Sequence, residues 1–247
     1  MTDAPHLSIV TGASRGMGRA IAERLALEHG HRVLGLSRQA PPAPEGIEQW
    51  PVDLAQPQPV AERLAAWLGG FASDTFASVN LINNAALLTE PAPLSQTDLT
   101  ALSRAARVGL EAPLLLTAAF LRATRDWHGT RRVLHISSGL GRRGMASTGP
   151  YCAVKAGLDN LARAQVLEEA LHRNGARVCS LAPGVIDTEM QQQLRGADAS
   201  HFPDVEVFRK MKSGHVLETP AGAAAKVVAF LLRPDFGREP VADVRGA

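Results

Sequence analysis

Tyr151 and Lys155 stand four residues apart in Tyr151-Cys-Ala-Val-Lys155, a spacing that stacks a phenol and an ammonium one turn apart on the same face of a helix. A phenol with an ordinary pKa near 10 is a weak acid–base group at neutral pH. A cation held beside it, together with an oxidised nicotinamide, favours the phenolate. A downward shift of ~3 units corresponds to about 4 kcal/mol of differential stabilisation. Tyr151 is the only tyrosine in the chain. Upstream, Ser138 follows an apolar run and offers a hydroxyl that can hold a substrate carbonyl oxygen as it gains charge, with Ser137 as the alternative. Taken singly, each group has a plainer role: a tyrosine at a helix start packs, and Ser-Ser-Gly turns.

A second cluster lies near the start of the chain. Thr11-Gly-Ala-Ser-Arg-Gly-Met-Gly18 joins a strand to a helix. It puts Gly12, Gly16 and Gly18 where a backbone must turn tightly and approach a pyrophosphate, with Ser14, Arg15 and Met17 between them. The free N–H groups and positive dipole end of the helix that follows favour an anion there. Gly12-Ala-Ser14-Arg-Gly16 also spells the G-x-S-x-G turn of serine hydrolases. That reading fails because only one strand precedes Ser14, leaving no earlier strand–helix loop to supply an oxyanion donor. After the second strand an NAD-preferring chain usually carries a carboxylate for the ribose 2′-hydroxyl, whereas here stand Ser37 and Arg38. Arg15 and Arg38 can close on a 2′-phosphate through charge-assisted bonds of about 1.5–3 kcal/mol each. The cofactor expected is therefore NADP(H); the competing reading is two solvated surface arginines.

Such groups need a scaffold, and the hydrophobic rhythm supplies one. Strands are expected at 7–11, 32–37, 47–53, 79–83, 131–137, 176–182 and 241–244, with helices at 17–28, 57–68, 97–125, 151–173 and 220–232. This alternation predicts one α/β domain over 1–247, a Rossmann-type doubly wound sheet of about seven parallel strands flanked by helices. Gly30 and Gly175 are placed as the C-caps of the first and fourth helices. Residues 189–217 break the rhythm and read as an inserted lid over the substrate. There Met190, Leu194, Phe202, Phe208 and Met211 either line a substrate pocket or bury one another.

Composition narrows the partners. With 247 residues, 45% hydrophobic and 20% charged, the chain is an ordinary globular one. Its formal charge of +2 gives no electrostatic case for nucleic acid. No apolar run reaches the ~18 residues of a membrane span, and the opening Met1-Thr-Asp-Ala-Pro-His6 lacks a signal-peptide pattern. Cys152 and Cys179 make no disulfide framework, so a reduced, cytoplasmic protein is expected. Cys152 projects about 100° away from the face of Tyr151 and reads as packing. Dispersed histidines without a His-Glu-x-x-His sequence predict no metal site. Arg142 and Arg143 are read as solvated.

In order and spacing, the glycine turn, Asn83-Asn84-Ala85, Ile136-Ser-Ser138, Tyr151-x-x-x-Lys155 and Pro183-Gly184 resemble the short-chain dehydrogenase/reductase family over essentially the full chain. The resemblance implies that Tyr151 donates or accepts the proton, that Lys155 holds the nicotinamide ribose and lowers the tyrosine pKa, and that Ser138 orients the carbonyl. It also implies that Asp53, with Leu54 beside it, contacts the adenine, that Asn83 and Ala85 line the cofactor path with Pro183 and Gly184, and that Ile186 and Thr188 meet the carboxamide end. Residues 183–195 with Ser137-Ser-Gly-Leu-Gly are similar to the benzil reductase and sepiapterin reductase-like branch. An NADPH-dependent reductase of a ketone or vicinal diketone follows as the expectation, working as a homodimer or homotetramer. The alternatives are an NADP(H)-binding sensor or scaffold with little chemistry, and an NADP-dependent alcohol or sugar dehydrogenase working oxidatively. Two positions depart from the family pattern: Ala86 replaces the usual glycine, and Gly109 replaces an asparagine that holds a relay water. Gly109 is expected to keep a helix kink but slow the relay, so that Gly109→Asn would raise turnover.

Overall fold

Seven strands, β1 (His6–Thr11), β2 (His31–Ser37), β3 (Ile47–Pro51), β4 (Ser78–Asn83), β5 (Thr130–Ile136), β6 (Arg177–Ala182) and β7 (Val241–Asp243), pair in parallel as one sheet in the computed structural model. Residues 5–246 are described, so most of the opening stretch read for a signal sequence lies outside them. The strand order is β3-β2-β1-β4-β5-β6-β7. The chain thus starts near the middle, runs outward to β3, then crosses back to lay β4 on the other side of β1. At such a reversal the connections leave in opposite directions and open a crevice beyond the carboxyl ends of the strands.

Helices α1 (Gly16–Ala26), α2 (Pro57–Leu68), α3 (Leu99–Ala106), α4 (Ala112–Ala123), α5 (Gly149–Glu169), α6 (Glu189–Gly196), α7 (Val205–Ser213) and α8 (Pro220–Leu231) complete the frame. Strand alternation splits the core in two. Leu7, Ile9, Leu34, Leu36 and Leu81 face Leu64 of α2 and Leu116 and Phe120 of α4, while Val10, Val33, Ile82, Leu134 and Leu181 face Ile21 and Leu25 of α1 and Val227 and Leu231 of α8. Burial on both faces explains why the central strands read as continuous apolar runs. No helix among the described residues is long and apolar enough to cross a membrane.

Four details differ from the sequence reading. The helix expected over 97–125 is α3 and α4 joined by a wider turn, Arg107–Glu111, after which the Ala112 N–H donates to the Arg107 carbonyl five residues back. α5 ends at Glu169 with Ala170 as its cap, so Gly175 is not a cap. It lies in the turn beyond, where an added Cβ would stand 1.9 Å from the Glu169 carbonyl oxygen. Likewise α1 is capped by Leu27, and Gly30 takes φ +69° in the turn that leads into β2. Within residues 189–217, where no helix was expected, α6 and α7 pack together around Leu194, Phe202, Val205 and Phe208.

Candidate active site

Backbone shapes the first wall of the crevice. Gly12 and Gly16 take φ of +70° and +56°, a region open to glycine at little cost. At Gly18 the constraint is space: a Cβ would stand 2.3 Å from the Gly12 carbonyl oxygen and 2.4 Å from Asn84 Nδ2. Thr11 Oγ1 accepts from the N–H groups of Asn84 and Ala85 at 2.9 Å each, and Asn84 Nδ2 donates to the Thr11 carbonyl at 2.9 Å. These bonds tie the ends of β1 and β4 beneath the turn. Arg15 enters α1 with extended backbone and makes no side-chain cap. The first-turn N–H groups of α1 are therefore left for an anion in the crevice.

A cavity of about 790 Å³ runs along the carboxyl ends of the strands. At one end it is bordered by Ser14, Arg15, Met17, Ser37, Arg38, Asp53 and Leu54. At the other it is bordered by Ala85, Ser138, Tyr151 and Lys155, and by Pro183, Gly184, Ile186 and Thr188 after β6. Asn83 is the exception among the expected cofactor residues. Its side chain is buried in the sheet, where it donates to Thr117 Oγ1 at 3.1 Å and lies 3.2 Å from His135 Nδ1. Asn84, the next residue, borders the cavity instead. Arg104 of α3, 3.8 Å from Asp53, and Arg245 also border it and carry no motif in the sequence. Arg15 pairs with Glu189 at the start of α6.

The reacting end is set by α5 and the loop after β5. Tyr151 and Lys155 share a face as their spacing predicts, with Lys155 Nζ 5.5 Å from the centre of the Tyr151 ring. Lys155 is buried and donates to the Ile136 carbonyl at 2.6 Å. Burial pushes the Tyr151 phenol up to about 12, with the Ser138 hydroxyl pulling the other way. Burial pushes the Lys155 ammonium down to about 8, opposed by Asp159 one turn further along α5. Among these side chains loss of hydration outweighs the Ser138 hydrogen bond, and the lowering expected above draws on the cation together with an oxidised nicotinamide. Asp159 accepts from Ser180 Oγ at 2.7 Å and lies 3.5 Å from Arg142 Nε, while Arg142 also donates to the Ala242 carbonyl at 2.6 Å. Arg142 is thus a partly solvated strut between α5 and β7, whereas Arg143 borders the cavity.

The turn at Arg107–Glu111 presses against α5. A Cβ at Gly109 would stand 2.6 Å from Val154 Cγ1, and one at Gly157 would stand 3.0 Å from Leu110 Cδ1. Val154 fills the space above Gly109, so an asparagine there has no room unless Val154 gives way. Cys152 lies outside the cavity lining, its Sγ 3.4 Å from Thr148 Oγ1. Under α6 and α7 packing and cavity lining overlap, Leu194 and Phe208 doing both. Met190, Leu194, Phe208 and Met211 border the cavity, and Phe202 is wholly enclosed in the small core of the pair.

A parallel sheet with a glycine turn at its reversal point, and a tyrosine, lysine and serine at the end of the same crevice, defines an oxidoreductase of CH–OH and C=O groups. The chain belongs to the short chain dehydrogenase family, whose profile matches residues 7–199, and that membership makes a nicotinamide dinucleotide the class of cofactor. It is 33% identical over 227 residues to benzil reductase ((S)-benzoin forming) of Bacillus subtilis, covering 92% of this chain and 93% of the relative. Sepiapterin reductase of Mus musculus is 31% identical over 250 residues, with 92% of each chain covered. A solved structure from Beutenbergia cavernae that contains NADP at low occupancy superposes with a TM-score of 0.78 at 25% identity, covering 98% of this chain and 95% of that one.

Proposed function

We propose that the protein is an NADPH-dependent carbonyl reductase that converts a ketone or vicinal diketone to the alcohol, with Tyr151 as proton donor. The observation that carries this reading is that Tyr151, Lys155 and Ser138 border the same cavity as the glycine turn. The site fits a dinucleotide: Gly18 packs so closely on the Gly12 carbonyl and Asn84 that a Cβ has no room, which keeps the turn tight, and the α1 N-terminus offers unpaired donors to a pyrophosphate. Ser37 and Arg38 stand where a carboxylate would serve NAD, and Arg38 with Arg15 supplies the positive charge a 2′-phosphate needs. The relatives named benzil reductase support the diketone.

When bound, the reduced dinucleotide supplies the hydride to the carbonyl carbon. A phenol at about 12 keeps its proton at neutral pH, as a donor must. Tyr151 gives that proton to the carbonyl oxygen as the oxygen gains charge, and afterwards regains one from water. Ser138 donates to the same oxygen and orients it. Lys155, steadied by the Ile136 carbonyl, has further N–H groups for the ribose hydroxyls, and its charge stabilises the transient phenolate. Helices α6 and α7 form the lid that keeps water out. Exposed Leu114 of α4 and Leu167 of α5 suit a homodimer or homotetramer.

Loss of NADPH absorbance with a panel of diketones tests the reading. Tyr151→Phe is expected to lower kcat about 10²–10⁴-fold while NADPH still binds. Equal or better efficiency with NADH would refute the pairing of Arg15 and Arg38 with a 2′-phosphate. Tight NADPH binding without turnover on any carbonyl would make the protein a sensor, and preference for NADP⁺ with an alcohol would make it an oxidative dehydrogenase.

A further inference from the structure

Three consecutive glutamines on α6 meet different fates. Gln192 is exposed, and Gln193 donates its amide to the Leu88 and Thr89 carbonyls at 3.5 and 3.3 Å. Gln191 borders the cavity and is only 8% exposed. Its carboxamide oxygen is sealed from solvent and has no hydrogen-bond partner. Met145, Leu194, Phe208 and Met211 border the same cavity. A buried amide without a partner is rare, because desolvation is not repaid by a bond.

We infer that Gln191 is a specificity-determining residue that hydrogen-bonds the substrate oxygen that is not reduced, so that the site selects vicinal diketones and α-hydroxyketones over simple ketones. The inference rests on the carbonyl-reductase reading. A carboxamide suits both members of this class, because its N–H donates equally to a second carbonyl oxygen or to a neighbouring hydroxyl oxygen. A site that relies on such a bond discriminates sharply against a substrate lacking the second oxygen, since the amide is then left unpaired.

The test compares 1-phenylpropane-1,2-dione with propiophenone, which lacks the second carbonyl, in the wild type and in Gln191→Met, a change that keeps chain length and removes the amide. The expected result is a fall of about tenfold or more in kcat/KM for the dione, little change for propiophenone, an unchanged NADPH Kd, and a Tm that holds or rises because an unpaired buried group is gone. Gln191→Asn, which keeps the amide but withdraws it, should retain part of the preference. An unchanged ratio of the two substrates, or loss confined to NADPH affinity, would overturn the inference while leaving the carbonyl-reductase reading intact. A fall in Tm with both substrates losing equally would make Gln191 structural. A wild-type enzyme that reduces neither compound with NADPH would refute the carbonyl-reductase reading, and the inference with it.

Discussion

Where β1 meets α1, the cavity wall is backbone held in conformations that few residues can adopt; under α6 and α7 it is a set of flexible apolar side chains on two short helices. In the first region Gly12 and Gly16 need left-handed φ, and Gly18 has no room for a methyl against the Gly12 carbonyl. In the second, Leu194 and Phe208 belong both to the small core of the helix pair and to the cavity border. A dinucleotide presents the same pyrophosphate every time, so its cradle can be rigid. Substrates vary, and methionine, leucine and phenylalanine can repack around them.

The largest expected contrast comes from one methyl placed in each region. Gly18→Ala must move backbone, either the turn or the start of α1, and should cost about 2–4 kcal/mol in denaturant unfolding together with most dinucleotide affinity. Met211→Leu, a swap of similar volume at the cavity border, should cost less than about 1.5 kcal/mol and leave dinucleotide affinity unchanged. Comparable losses from the two substitutions would show that the regions do not differ in rigidity.

A smaller effect sharpens the boundary between them, where α5 meets the turn at Arg107–Glu111. Gly109→Asn forces a side chain into the space of buried Val154, and overpacking of this kind costs about 1–3 kcal/mol. Turnover should fall as α5 shifts, because Val154 precedes Lys155 on that helix. Val154→Ala in the same chain opens the space and should recover most of the lost Tm. If Gly109→Asn alone is neutral, the contact between the turn and α5 is looser than the geometry requires.

The same contrast governs what the amino-acid sequence discloses. The glycine turn and the Tyr151–Lys155 pair were legible because their chemistry depends on local spacing, along a turn or around one helical turn. The parallel sheet was legible because strands buried on both faces read as apolar runs. Asn83 and Asn84 were confused because side chains near a strand end are sorted by a single position, and no spacing marks where β4 stops pairing. The packing of Val154 over Gly109 joins residues far apart in the chain, so a glycine in a helical pattern could not announce it. The raised phenol pKa follows from burial, a property of the assembled cavity rather than of the Tyr–Lys spacing. α6 and α7 are short, polar in composition and packed on each other, which left the inserted stretch without a helical signal of its own.

The smallest expected effect tests an ion pair that bridges the two regions. Arg15 of the glycine turn pairs with Glu189 at the start of α6, both side chains being more than half exposed at 63% and 62%. An exposed pair contributes at most about 1 kcal/mol and weakens with salt. Under the NADP(H) reading, the 2′-phosphate and Glu189 compete for the Arg15 guanidinium. Glu189→Gln should therefore tighten NADPH binding up to about five-fold at low ionic strength and leave NADH binding unchanged, with the difference fading as salt is added. Equal tightening of both dinucleotides would mean that Glu189 restrains entry to the crevice as a whole, and that Arg15 serves the lid rather than the phosphate.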